Sequence, residues 1–319
     1  MTKISVNRTA MKLVKKLCDN AEAYGVVVKE NEAGTHIIDA GIEAEGGFQA
    51  GKIITEICLG GLGEAIMSSM KIGDLRFPAI SVYTDHPAVA TLGSQLAGWR
   101  IKSGDYSAVG SGPARALALK PKSVFSKIGY EDRSDEAVLV LETGSEPPSE
   151  VVANICELCH VAPNNLYLIL VPTSSVAGFT QVSGRIAETG LHKLSDLGVD
   201  PNLVMHAWGY APILPVHPDS VEAMGRTNDA ILYGGVAYYT VRFDDDEELK
   251  ELIKRSTSSA SKQYGRPFAD IFREAGQDFF KIDPGLFAPA EITINNVKTG
   301  STFTAGKINA DVLMKSIGL

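Results

Sequence analysis

Strand-like and helix-like segments alternate along this chain of 319 residues. Short apolar runs predict strands at 52–59, 79–84, 136–142, 166–171 and 235–243. Helical periodicity between these runs predicts helices at 113–120, 149–159, 176–197 and 244–256. Interleaved strands and helices indicate an α/β or α+β fold, and the length of the chain suggests two domains.

The segment 144–150 predicts a connector between the two domains. Its Pro147-Pro148 pair lies between polar residues and cannot continue a helix or a strand. We therefore expect a first α/β domain over 1–145 and a second over 146–319. One variant of this division has the C-terminal segment 290–319 packing back on the first domain.

Two segments far apart in the chain share letters. The segment 47–63 resembles 302–318, and both contain the letters Ala-Gly-Lys-Ile. The resemblance could mark an internal pseudo-repeat, in which an α/β unit is duplicated, or it could be a coincidence in a short segment.

The charge balance excludes several classes of function. The chain has 30 Lys and Arg against 38 Asp and Glu, a formal net charge of −8. An acidic protein is not suited to binding nucleic acid or an anionic membrane surface as its main task.

No apolar run reaches the length of about 18 residues typical of a membrane span, and the N-terminus lacks an apolar signal core. Four cysteines in a chain of this length do not form a disulfide scaffold, so we expect a cytoplasmic protein.

The segment 172–190 is the strongest candidate for chemistry. It follows a predicted strand and begins with the turn Thr173-Ser174-Ser175, and α/β folds bind ligands at such strand ends. If it forms one helix from Val176, then Gln181, Arg185, Glu188 and His192 share a stripe opposite the apolar face. A solvated polar face is the simpler interpretation of such a stripe. Three glycines in and beside the segment favour a functional one, because they weaken a helix and allow close approach to its backbone.

A second glycine-rich turn spans Gly110 to Lys120. Its backbone N–H groups, together with Arg115 and Lys120, could bind a phosphate or a carboxylate. The alternative is an ordinary helix start. The segment lacks the Lys-Ser/Thr ending of a Walker A loop, so it does not indicate a phosphotransferase.

The sequence shows no pattern typical of a metal site or a serine nucleophile. Its six histidines include no HExxH motif and no pair with ligand spacing, and no GxSxG elbow is present. We therefore predict no metal ion and no cofactor.

Several long segments together resemble the methenyltetrahydromethanopterin cyclohydrolase family of archaeal and methylotrophic one-carbon metabolism, which includes methanogenesis. These segments are CLGGLG at 58–63, TDHPAVATLGSQLAGW at 84–99, GSGPARALALKP at 110–121, PTSSVAGFTQVSGRIAETG at 172–190, AMGRTNDAILYGG at 223–235 and the segment 264–292. The resemblance implies two α/β domains enclosing a pocket between them, a homotrimer and a reaction without a metal.

The resemblance also implies the reaction and its central residues. The family hydrolyses the cyclic 5,10-methenyl cation of the pterin to the 5-formyl pterin, reversibly, so the pterin is the substrate and no separate cofactor is implied. The family motif GR–E corresponds here to Arg185 and Glu188, two of the residues on the predicted stripe. We expect Glu188 to be the general base and Arg185 to orient it.

Other residues in the matching segments are candidates for binding the pterin or its anionic tail. They are Asp85, Gln95, Ser111, Arg115, Lys120, Ser174, Ser175, Gln181 and Asp229. A turn cap is an equally good interpretation of Asp85. A non-catalytic carrier that binds a pterin or a nucleotide is the alternative function, and turnover of the methenyl cation would distinguish the two.

Overall fold

The computed structural model describes residues 4–319 and confirms a mixed α/β fold. Over these residues the strands are β1 (Val27–Glu30), β2 (His36–Asp39), β3 (Gly63–Ile72), β4 (Leu75–Thr84), β5 (Trp99–Ser103), β6 (Tyr106–Ser111), β7 (Ala137–Glu142), β8 (Leu166–Leu170), β9 (Val204–Pro212), β10 (Val236–Val241), β11 (Glu291–Asn296) and β12 (Thr302–Gly306).

The α-helices of the same residues are α1 (Val6–Asp19), α2 (Ala21–Tyr24), α3 (Phe48–Cys58), α4 (Arg115–Ala118), α5 (Lys122–Ile128), α6 (Ser149–Cys159), α7 (Val176–Ser183), α8 (Ile186–Asp196), α9 (Ser220–Gly234), α10 (Asp246–Ile253), α11 (Phe268–Glu274) and α12 (Ala310–Ser316). A π-helix spans Ala88–Gln95, and short 3₁₀ turns lie at Pro163–Asn165, Pro201–Leu203, Ser258–Ala260, Phe279–Lys281 and Pro284–Leu286. None of the helices in the described part of the chain is long and apolar enough to cross a membrane.

The chain forms two compact units, neither of which is continuous in sequence. Unit 1 contains the described residues up to Glu64 and Val89–Gln181, and unit 2 contains Ala65–Ala88 and Val182–Leu319. The expected division into 1–145 and 146–319 concerns domains that fold separately, and it stays a prediction. The segment 290–319 lies within unit 2, where β11 and β12 belong to the sheet and α12 packs on α9.

Unit 1 is built on a six-stranded mixed sheet in the order β1-β2-β8-β7-β6-β5. The central strand β8 pairs parallel with both β2 and β7, and the remaining pairs are antiparallel. This pairing keeps the chain after the predicted connector within unit 1 as far as Gln181.

Apolar side chains cover both faces of the unit 1 sheet. Along β8, Leu168 and Leu170 pack in one cluster with residues of α6, whereas Ile169 packs in another with residues of α1 and α3. A strand that is buried on both faces has apolar residues at successive positions. Such continuous apolar runs predicted β7 and β8.

Unit 2 is built on a second six-stranded sheet, in the order β12-β11-β10-β9-β4-β3. Strands β10 and β11 pair parallel, while β9 pairs antiparallel with both β10 and β4. Helices α8 and α9 pack on β9, and α8 also contacts β4 and β10. The neighbouring side chains of Tyr83, Trp208 and Tyr238 are exposed, so they lie on the other face of this sheet.

Three predicted elements differ in the structure. The expected strand at 52–59 is most of helix α3, because Ile53, Ile54 and Ile57 also satisfy helical spacing. The expected helix at 113–120 shortens to α4, since Leu119 adopts a left-handed backbone conformation and Pro121 follows. The expected helix at 176–197 is divided into α7 and α8, with a turn at 184–185.

The repeated Ala-Gly-Lys-Ile letters do not mark a structural repeat. The first copy lies inside helix α3, whereas the second ends strand β12 and enters a loop. Gly51 is helical and directly abuts Thr180 of α7, while Gly306 has a φ of +79° and abuts the carbonyl of Ala290. The same residue type therefore allows a close approach in both places, but within unrelated geometries.

Candidate active site

Arg185 and Glu188 lie together at the start of α8. Arg185 is the residue that immediately precedes the helix, and Glu188 lies in its first turn. An acidic side chain in the first turn is stabilised by the free N–H groups and the helix dipole. The turn at 184–185 thus makes Glu188 a residue of a helix N-terminus, although the sequence predicted it in the middle of one long helix.

The two side chains form a buried ion pair. The Arg185 Nη1 and Glu188 Oε2 atoms are 3.8 Å apart, and only 8% and 7% of the respective side chains are exposed. A charge removed from water in this way is costly unless it is paired, and here each charge has a partner of opposite sign. A carboxylate that is charged, oriented and shielded from bulk water is suited to accepting a proton from a positioned water molecule.

Glycines of the unit 2 sheet allow α8 to approach it closely. A Cβ atom added at Gly209 of β9 would lie 2.5 Å from Ile186 Cγ2 and 2.9 Å from the Ala187 nitrogen. A Cβ atom added at Gly235 would lie 2.4 Å from Ile186 Cδ1. No real Cβ atom tolerates such distances, so the absence of side chains at these positions fixes the depth of the first turn of α8.

The predicted polar stripe is only partly present. Gln181 is buried in α7, before the turn that separates the two helices. His192 lies on α8, but its side chain is 44% exposed and faces Asp196 at 3.9 Å. Of the stripe, the structure brings Arg185 and Glu188 into contact and separates His192 from that buried pair.

Ser174 and Ser175 lie in the turn between β8 and α7, and both are half-buried. The Ser175 hydroxyl donates to the carbonyl of Pro172 at 2.9 Å and accepts from the Gly178 N–H at 2.9 Å. This pattern is that of a helix cap, so Ser175 has a structural role as well as its predicted binding role. The turn packs against the loop after β2, where a Cβ atom added at Gly41 would overlap Ser175.

Arg115 is a structural residue in this fold. Its side chain is fully buried and donates to the carbonyls of Leu92, Ser94 and Lys120 at 3.1, 3.0 and 2.8 Å. The guanidinium thereby ties Lys120 to Leu92 and Ser94, which lie within the π-helix, and its predicted role in binding an anionic ligand stays a prediction. Lys120 is half-buried and accepts one of these bonds through its carbonyl.

The two other candidates in unit 1 are also buried. Gln95 is the last residue of the π-helix and is fully buried. Ser111 ends β6, and its hydroxyl lies 3.6 Å from the Cys58 thiol. Single π-helical turns inside helices are often found at functional sites. The π-helix that ends at Gln95 is consistent with the predicted binding role of this residue.

Asp229 has a structural role that the sequence did not indicate. It is fully buried in α9, accepts from the Phe268 N–H at 2.9 Å and accepts from the Ser316 hydroxyl at 2.6 Å. It thereby joins the start of α11 and the end of α12 to α9. Burial raises the pKa of Asp229 to about 7, against an ordinary value of 3.8, although the two hydrogen bonds oppose that shift.

Asp85 lies just after β4 and its side chain is 81% exposed. Its Oδ1 atom is 2.8 Å from His206 Nδ1 on β9, so the residue pairs with an exposed histidine of the same unit. The side chain that caps this turn is that of Thr84, whose hydroxyl accepts a hydrogen bond from the His86 N–H.

Sequence reasoning overlooked Tyr239, which lies under the first turn of α8. Its hydroxyl donates to the Ala187 carbonyl at 2.7 Å and its side chain is fully buried. Side chains alternate between the two faces of a strand, and Ala237, Tyr239 and Val241 share the inward face of β10. This alternation could have predicted that Tyr239 is buried. A tyrosine on an inward face requires a hydrogen-bond partner for its hydroxyl.

Within residues 4–319, no three His, Cys, Asp or Glu side chains come close enough to hold a metal ion. The pair Arg185–Glu188 places a carboxylate beside a cation.

Known proteins resemble this chain over almost its whole length. The family model described as Cyclohydrolase (MCH) matches residues 5–317. Proteins named methenyltetrahydromethanopterin cyclohydrolase from Methanothermobacter marburgensis and Methanococcoides burtonii are 47% and 45% identical to it. The matches cover 99% of this chain and 100% and 99% of the relatives. A protein of the same name from Methanocaldococcus jannaschii is 45% identical over 99% of this chain and 98% of its own length. The chain therefore belongs to the cyclohydrolase (MCH) family of enzymes.

Proposed function

We propose that this chain hydrolyses the 5,10-methenyl cation of tetrahydromethanopterin to 5-formyl-tetrahydromethanopterin. The names of its relatives support this substrate, and the buried contact between Arg185 and Glu188 carries the proposed mechanism. The carrier that binds the pterin without turnover is the alternative. A buried carboxylate paired with an arginine favours the enzyme, because a carrier has no need of a base.

Glu188 acts as the general base in the first step. The methenyl carbon lies between two nitrogens and is already an electrophile, so it needs a positioned water molecule and a proton acceptor. The water oxygen forms a bond to this carbon while Glu188 takes one proton from the water. The product of the step is a neutral carbinol, in which the carbon carries a hydroxyl and still bonds both nitrogens.

The second step opens the ring. Glu188 returns its proton to N10, the bond from that nitrogen to the carbon breaks, and the hydroxyl loses its proton as the formyl carbonyl forms. One water is consumed and one proton is released overall. The same groups serve the reverse direction, so the proposed reaction is reversible.

Arg185 orients the base. Its Nη1 atom is 3.8 Å from Glu188 Oε2, which is close enough for strong attraction in a buried site and too long for a tight hydrogen bond. The cation supplies no bond to the substrate in this mechanism.

We propose that the reaction needs neither a metal nor a cofactor, because the substrate carbon is electrophilic without a Lewis acid. From the family resemblance we also propose a homotrimer in the cytoplasm. Sedimentation of the purified protein tests the assembly.

Turnover of the methenyl pterin tests the proposed function. Purified protein is mixed with 5,10-methenyl-tetrahydromethanopterin, and the loss of the methenyl absorbance is followed with and without a chelator. We expect rapid loss in both arms. Binding of the pterin with no loss of absorbance beyond the spontaneous rate would favour the carrier, and a rate abolished by the chelator would contradict a reaction without a metal.

A further inference from the structure

Tyr239 supports the first turn of α8 from below. Its hydroxyl donates to the Ala187 carbonyl at 2.7 Å, and Ala187 immediately precedes Glu188. Burial raises the pKa of Tyr239 well above its ordinary value, and the negative charge of Glu188 raises it further. The hydroxyl therefore keeps its proton and remains a donor.

Gly190 brings the same hydroxyl into direct contact with the helix. A Cβ atom added at Gly190 would lie 2.2 Å from Tyr239 Oη, so only glycine allows α8 to lie this close to β10. Glycine weakens a helix by about 1 kcal/mol relative to alanine. A glycine in the middle of α8 is thus unfavourable for the helix itself and is explained by the space that the tyrosine requires.

The contact acts on one turn of one helix. Ala187 lies between Arg185 and Glu188 in sequence, and its backbone also abuts Gly209. A donor at this carbonyl fixes how far the turn lies above the sheet and how it is rotated about the helix axis. Both quantities determine where the carboxylate of Glu188 is placed.

We propose that Tyr239 is a positioning residue for the hydrolysis, acting through the Ala187 carbonyl on the placement of Glu188. Tyr239 is fully buried and its hydroxyl is already engaged, so it does not touch the substrate. This inference rests on the proposed function, since it assigns to Glu188 the role of base.

The substitution Tyr239→Phe removes the hydroxyl and keeps the ring. We expect kcat to fall about tenfold, because a misplaced catalytic group loses part of the benefit of orientation. KM should change less than about twofold, since no group that binds substrate is altered. Tyr238→Phe is the matched control, because Tyr238 is the preceding residue on β10 and is exposed; it should leave both constants unchanged.

The variant Glu188→Gln shows whether Tyr239 acts through Glu188. If it does, adding Tyr239→Phe to Glu188→Gln should lower the residual rate by less than about twofold. A tenfold further loss in the double variant would overturn the proposal, because Tyr239 would then act independently of the base. Wild-type kcat in Tyr239→Phe would also overturn it.

Failure of the proposed function and failure of the positioning role of Tyr239 give different results. If wild-type protein does not turn over the pterin, the proposed function fails and the positioning role of Tyr239 in the hydrolysis fails with it. If Glu188→Gln is inactive while Tyr239→Phe is fully active, only the positioning role fails. Thermal unfolding is measured for each variant, and failure of Tyr239→Phe to fold would contradict a role confined to one turn of α8.

Discussion

Asp229 and Glu188 are both buried carboxylates of unit 2, but they differ in their partners. Glu188 faces an arginine, whereas Asp229 faces a backbone N–H and a serine hydroxyl. The sequence placed both in segments that match the family and predicted a site role for both. Both site roles stay predictions, and the partners of Asp229 add a structural role that the sequence did not indicate, because a buried cap and a substrate ligand use the same residue type.

Asp229 should make the stability of the protein depend on pH. The unfolded chain releases this proton near pH 3.8 and the folded chain near pH 7, so between these values the folded state binds more protons. Its contribution to the free energy of unfolding therefore falls as the pH rises, by up to about 4 kcal/mol.

The substitution Asp229→Asn removes the titration and can keep both hydrogen bonds, with the amide group donating to Ser316. We expect the variant to gain stability relative to wild type as the pH rises from 4 to 8, measured by urea unfolding at a series of pH values. A constant difference between the two proteins over this range would contradict the buried, titrating carboxyl.

At the level of elements, the helix and strand predictions failed where the decisive contacts are distant in sequence. The run at 52–59 is apolar enough for either structure. In the fold it belongs to α3, where the preceding residue Gly51 packs against Thr180 of α7, a contact distant in sequence. The stripe at 176–197 was predicted on one continuous helix. The turn at 184–185 divides it, and the pair Arg185–Glu188 survives because its spacing lies within one turn.

The close packing of α8 on β9 predicts the effect of a single methyl group. Gly209→Ala would place its Cβ atom 2.5 Å from Ile186 Cγ2 and 2.9 Å from the Ala187 nitrogen. We expect a loss of about 1–3 kcal/mol in the free energy of unfolding, together with a lower kcat, because the helix start must move. Gly144→Ala is the control, since a Cβ atom there meets nothing within 4 Å. Equal stability and activity in the two variants would contradict the packing described.

At the scale of the whole molecule, the two compact units are each built from segments distant in sequence. Strand β8, which follows the predicted connector, lies between β2 and β7 in the unit 1 sheet, while β3 and β4 belong to unit 2. Strand order depends on pairing between distant segments, which a single sequence does not display. The family could be predicted from the sequence, because long family motifs are local features of the sequence.

The strand order predicts how the chain behaves when it is cut at the connector. A fragment of residues 1–145 lacks β8, so β2 and β7 lose the strand that joins them. We expect neither 1–145 nor 146–319 to fold alone, as judged by dispersion in amide NMR spectra, while the intact chain unfolds cooperatively. Two well-folded fragments would instead support the division predicted from the sequence.

The most direct test of the account is the activity of Glu188→Gln. The substitution keeps the shape of the side chain and removes the base, so we expect turnover of the methenyl pterin to fall by about 10²–10⁴-fold while the pterin still binds. Asp196→Asn, at the exposed end of the same helix, is the control and should retain full activity. The measurement is the loss of methenyl absorbance under saturating substrate, with binding followed separately. We expect a protein that binds the pterin and scarcely hydrolyses it, and full activity of Glu188→Gln would show that Glu188 is not the base.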